Sequence, residues 1–119
     1  MSEVPDTPAT IVYDDFHQVD MRVGTIVDIT ENAKARVPAY VIKIDFGEVL
    51  GIKTSSAQIT ERHQMADLIG KQVIAVTNFG PKRVAGTISE VLVLAAVSES
   101  GVATLIQPSL PVRDGSRIL

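Results

Sequence analysis

The spacing of hydrophobic and polar residues changes several times along this chain, and each change marks an element. From Val19 the period is two: Met21, Val23, Thr25, Val27 and Ile29 alternate with Arg22, Gly24, Ile26, Asp28 and Thr30, the pattern of a long strand. Gly24 inside it predicts a bend or bulge that lets a sheet curl. Pro38 marks a turn, after which Ile42, Ile44 and Phe46 alternate with Val41, Lys43 and Asp45 as a second strand. Phe46-Gly47-Glu48 then turns into a short third strand around Val49 to Lys53. Residues 58–70 carry the best helical pattern, with Thr60 as N-cap and Gly70 as stop, placed to cover one end of the sheet. Lys71 to Thr77 reads as a near-continuous apolar strand, and Gly80 and Pro81 force Asn78-Phe79-Gly80-Pro81 into a loop. Ile88 to Val97 is another apolar run, and Val102 to Gln107 is a last strand beyond a turn at residues 98–101.

Upstream of these strands, Tyr13 to Val19 fits one helical turn, with Asp14 or Asp15 accepting from the free N–H groups at its start. Residues 1–12, with Pro5 and Pro8, read as a flexible arm, and residues 13–119 as one domain. About five main strands, a short helix between the third and fourth, and glycines within strands predict an all-β fold. The expected form is a five-stranded OB-type barrel with short helices and terminal extensions. The run Val91 to Val97 has no polar face, so both of its sides need cover. One is the barrel interior; for the other a subunit interface is favoured over the helix or an appended segment.

Composition narrows the function classes. The 119 residues are 45% hydrophobic, enough for a core, yet only Tyr13, Phe16, Tyr40, Phe46 and Phe79 are aromatic, which makes any exposed ring informative. The net charge of -3 gives no global attraction to phosphate. The charge is uneven: residues 1–31 hold seven acids against Arg22 alone, so a positive surface must be local. Without cysteine the fold depends on no disulfide. The start of the chain lacks a basic stretch followed by an apolar one, and no apolar run approaches a membrane span. A cytoplasmic address without membrane insertion is expected.

Catalytic chemistry finds little support. His17 and His63 stand alone, whereas a metal site needs converging ligands. Ser55 or Ser56 with His63 carries no nucleophile elbow. Neither a metal nor a cofactor is expected, and the chain reads as a binding module rather than an enzyme. The informative stretch is Asn78 to Leu94: an aromatic, a rigid turn and two adjacent cations precede a strand. Phe79 beside Lys82 and Arg83 suits a groove for an extended polymer, stacking on a base or packing on an apolar side chain. The alternative makes Phe79 a core anchor and the cations ordinary surface charges. Lys53, Thr54, Ser55, Ser56 and Gln58 follow the third strand as a polar cluster suited either to bonding a ligand backbone or to capping the next helix.

Phe16-x-x-Val19-Asp20-Met21-Arg22-Val23-Gly24, Gly70-Lys71-x-Val73, Asn78-Phe79-x-Pro81-Lys82-Arg83-x-x-Gly86 and Ser89-Glu90 resemble the tRNA-binding-domain superfamily of OB folds, over nearly all of residues 14–119. Within it, Ala35 to Ala39, Ile44 to Gly47, Gly51 to Thr60 and Ser89 to Leu94 are similar to the CsaA family of export-related chaperones. The resemblance implies a homodimer that binds unfolded or presecretory polypeptides and contacts the secretion motor SecA, with tRNA as the alternative ligand. Carried onto this chain, the implied surface comprises Lys53, Ser55, Ser56 and Gln58; then Asn78, Phe79, Pro81, Lys82 and Arg83; then Ser89 and Glu90. Val91-Leu92 stands where many tRNA-binding relatives carry Gly-Met, and Gly80 where close relatives often carry proline.

Overall fold

A computed structural model describes residues 8–119; most of the expected N-terminal arm lies outside the described residues. In chain order the elements are α1 (Tyr13–His17), β1 (Met21–Glu31), β2 (Tyr40–Asp45), β3 (Ile52–Ala57), α2 (Met65–Leu68), β4 (Gln72–Val76), β5 (Lys82–Val84), β6 (Thr87–Ser89), β7 (Leu92–Val93), β8 (Ala95–Val97) and β9 (Ala103–Leu105). Five strands form one antiparallel sheet in the order β3-β2-β1-β4-β7. The hairpins β5-β6 and β8-β9 are separate two-stranded sheets.

Strand β1 is long enough to serve two partners, pairing with β4 over Met21–Thr25 and with β2 from Thr25 to Glu31. Its edge beyond β2 is taken by the C-terminal segment: Val23 N–H donates to Ser116 O (2.9 Å), and Gly115 N–H to Val23 O (2.7 Å). The sheet rolls until β3 meets the segment joining β6 to β7. There Glu90 N–H donates to Thr54 O (2.7 Å) and Thr54 N–H to the Glu90 carboxylate (3.1 Å). The result is a nearly closed five-stranded antiparallel barrel of OB type. Ile26, Ile42, Ile44, Phe46, Val73 and Ala75 fill it, with Ile59 and Leu68 buried in the same cluster.

Several local expectations are corrected. The register of β1 breaks between Ile26 and Asp28 rather than at Gly24. Gly24 is regularly paired with Val73, and its missing side chain leaves room for Ile44 and Phe46. At α1 no side chain caps the start; Asp14 and Asp15 lie in its first turn. The third strand begins at Ile52, so Lys53 to Ala57 form it instead of following it. The helix of residues 58–70 shrinks to Met65–Leu68, with Gln64 rather than Thr60 at its cap. The preceding residues are held by tertiary bonds: Tyr40 donates its hydroxyl to His63 O (2.7 Å), and His63 Nε2 accepts from Leu105 N–H (3.1 Å). The apolar run Ile88 to Val97 divides into pieces because the chain changes partner, from β5 to β4 and then to β9, a change that periodicity does not register. Leu92 and Val97 on this run are 49% and 66% exposed in the single chain.

Candidate functional site

The Asn78–Pro81 loop leaves β4 and enters the β5-β6 hairpin, so both ends of that loop decide where Phe79 sits. At the first end Asn78 acts as a latch, accepting from Asp20 N–H (2.9 Å) and donating to Gln18 O (2.8 Å). Asp20 is fixed in turn by Arg22 Nε (3.0 and 3.1 Å), by Arg117 (3.4 Å) and by the Thr77 hydroxyl. The Arg22 guanidinium, opposed by partial burial and aided by Thr77, holds the Asp20 carboxyl below its usual range. At the second end Lys82 pairs with Ser89, whose hydroxyl accepts from Ser56 N–H (3.2 Å) beside the Glu90–Thr54 pair.

Between these anchors Phe79 is 55% exposed. Its ring borders a concavity of about 380 Å³ whose apolar wall comes from Val84, Val91 and Leu92 and whose polar rim is formed by Lys82, Ser89 and Glu90. Val84 and Thr87 close a two-residue turn, Ala85-Gly86, with φ of 50° and 81°, the left-handed pair that suits a hairpin. Parity along the hairpin then turns the N–H and C=O of Arg83 away from β6. Among the described residues β5 has no strand on that side.

The eleven residues singled out from the sequence divide by role. Phe79, Pro81, Lys82 and Arg83 are exposed on the loop and β5, and Phe79 and Lys82 line the concavity. Ser89 and Glu90 reach its rim while closing the barrel. Ser56 supplies the backbone of that closure. Lys53 and Ser55 stand opposite Ile44 and Ile42 on the inward-facing side of β3, and Ser55 is only 1% exposed, which removes its hydroxyl from any outer surface. Gln58 is exposed beside a different concavity, at the tip of the hairpin. The two polar clusters therefore meet along the β3 edge, though not as one continuous surface. Sequence reasoning missed Val84, Val91 and Leu92 as the apolar wall; the signal for Val91 and Leu92 was the absence of a polar face across Val91 to Val97. Among the described residues no three His, Cys, Asp or Glu converge as metal ligands. No described helix is long and apolar enough to cross a membrane.

A nearly closed, five-stranded antiparallel barrel of OB type is the fold of a tRNA-binding-domain module. The family model for the tRNA binding domain matches residues 21–117, and the chain belongs to that family. Within it the chain is CsaA-like. The crystal structure of the chaperone CsaA from Bacillus anthracis str. Ames is 51% identical with a TM-score of 0.88, covering 93% of this chain and 100% of that one. The CsaA chaperone protein of Picrophilus torridus is 44% identical with a TM-score of 0.86, covering 92% of this chain and 100% of that one. Methionine--tRNA ligase of Bacteroides fragilis (strain YCH46) is 33% identical over 110 residues, 92% of this chain. The chain spans 16% of that ligase's length.

Proposed function

We propose that this protein is a chaperone-like binder of unfolded polypeptide, presecretory chains among its clients. The observation that carries this reading is the exposed Phe79 ring beside the free edge of β5. The apolar wall of Val84, Val91 and Leu92 accepts side chains, while the outward N–H and C=O of Arg83 offer an extended client the bonds of an added strand. Backbone bonds are common to every peptide, so clients of many sequences are accommodated. The likeness to CsaA chaperones supports the same reading. Two copies of the chain, packed through the side that exposes Val97, action in the cytoplasm and a contact with SecA complete the proposal.

A second reading, binding of tRNA, is favoured by the family model and by the exposed cations Lys82 and Arg83. The experiment that separates the two is competition between tRNA and an unfolded preprotein for the labelled protein at increasing salt. A polypeptide binder retains its client as salt rises and tRNA fails to displace it. An RNA binder using Lys82 and Arg83 loses affinity with a log-log slope of about 1.5 to 2, and that result, with no competition by the preprotein, refutes the chaperone reading. Light scattering on a sizing column tests the dimer, and a clean monomer at micromolar concentration contradicts it.

A further inference from the structure

At the tip of the β5-β6 hairpin lies a second concavity of about 420 Å³, formed by residues 34–37, Gln58 and the turn at Val84 to Gly86. Lys34 and Arg36 are its only charged lining residues, an unusual local balance in a chain of net charge -3. Its shape is held in place. Asn32 is buried and spends its side chain on the site, donating Nδ2 to Ala85 O (3.2 Å) and accepting from Lys34 N–H (3.0 Å). Asn32 N–H donates to Ala39 O (2.9 Å), and Ala35 N–H donates to Asn32 O (3.2 Å). The Lys34 stem crosses directly over Gly86: a Cβ there would lie 2.7 Å from Lys34 Cδ. The loop and the hairpin tip thus form one unit that keeps the lysine at the groove.

Val84 lines both concavities, so they are adjacent along the hairpin. The three residues of β5 span about 10 Å at the usual strand rise. An extended polypeptide laid beside β5 that seats an apolar side chain under Phe79 therefore brings a residue two to four positions away to Lys34 and Arg36. We infer that the basic groove is a specificity subsite for client carboxylates, and that preferred segments pair an apolar cluster with Asp or Glu two to four residues distant. This inference rests on the polypeptide-binding reading above. Charge complementarity selects the occupant, since two cations without a lining acid favour a carboxylate and oppose a lysine or arginine.

The test uses three fluorescently labelled peptides that share one apolar core. Both flanks carry Glu, Gln or Lys, so strand direction does not matter. Anisotropy at low salt is expected to rank them Glu, Gln, Lys, with the extremes about five- to tenfold apart and the spread collapsing at high salt. Lys34→Glu with Arg36→Glu reverses the ranking and leaves the Gln peptide within about twofold of the unmodified protein. Equal affinity for all three peptides, or an unchanged ranking in the double variant, overturns the subsite while leaving the chaperone reading intact. Failure of every peptide to bind overturns both. Loss of tRNA affinity in the double variant with peptide ranking unchanged assigns the groove to RNA and also overturns the proposal.

Discussion

Replacing Phe79 by alanine tests the furrow most directly, because the ring's exposure sets the size of two separate effects. Complete burial of a phenylalanine is worth about 1.5–3 kcal/mol, and 55% of this residue is open to water before any client arrives. A client that covers the open share gains about 1–1.5 kcal/mol from it, and its loss weakens binding about five- to tenfold. The share already packed against the protein costs about 1 kcal/mol of stability, a melting point lower by about 3–6 °C for a chain of this size. Phe79→Leu separates the two ligand classes: apolar packing with a peptide side chain largely survives, whereas base stacking, about 1–3 kcal/mol per base, is lost. Anisotropy with an unfolded client and with tRNA, measured side by side on folded protein, reads both. Client affinity for Phe79→Ala within twofold of the unmodified protein refutes the assignment of the ring to the client site.

Three further outcomes test the frame that holds the site. Gly24→Ala places a Cβ 2.5 Å from Ile44 Cγ2 and 2.8 Å from Phe46 Cδ1; overpacking of this kind costs about 1–3 kcal/mol, beyond the fraction recovered from a stiffer unfolded chain, and denaturant titration should show a lower midpoint with unchanged slope. Glu90→Ala removes the acceptor for Thr54 N–H and should lower both stability and client affinity; Glu90→Gln should restore both, and restored stability without restored affinity would mean that the charge meets the client itself. Burial, with Arg62 adding to it, holds His63 below its ordinary value of 6.5, and its Nε2 accepts from Leu105 N–H only when unprotonated. The fold therefore favours the neutral ring: its contribution is complete above about pH 6.5 and declines as pH falls through the lower folded value. His63→Gln, which keeps an acceptor, should flatten the stability profile in that window, while the separate decline through Asp20, present above 3.8, remains at lower pH.

The alternation in residues 41–46 was enough to place β2, whose burial follows a period of two; in residues 19–30 it marked a strand but not its inner face, because the register break between Ile26 and Asp28 leaves Ile26 buried and Val27 exposed. The exposure of Phe79, Lys82 and Arg83 was legible for a different reason: Gly80 and Pro81 break the chain away from β4, and a ring and two cations just beyond such a break have few alternatives to exposure, although Lys82 and Arg83 stand on β5 and not on the expected loop. Where the reading slipped, the decisive force was tertiary. Nothing local distinguishes Thr54-Ser55-Ser56 as a strand, since it is the pairing with Val41, Ile42 and Lys43 that extends it. Residues 58–64 have helical composition, yet the bonds made by Tyr40 and Leu105 to His63 fix them otherwise. Asn78 reads as a turn residue, and its work as a latch on Gln18 and Asp20 lies about 60 residues away in sequence, beyond any window of periodicity.

The β5-β6 hairpin owes its usefulness to being held at its stems and tip with no strand on the outer edge of β5 among the described residues. Its first stem is tied through Asn78 to residues 18–20, its second through Ser89 and Glu90 to β3, and its tip through Asn32 to the loop before β2. Bonds that close the barrel therefore also set the spacing between Phe79 and the basic groove, and the hairpin need not order itself when a ligand arrives. That preorganisation lets one exposed ring and a few backbone groups suffice, because little affinity is lost to fixing them. It also explains why polar residues such as Ser89, Glu90 and Asn78 belong to the site without leading the contact: their hydrogen bonds are already committed, and what they contribute is position.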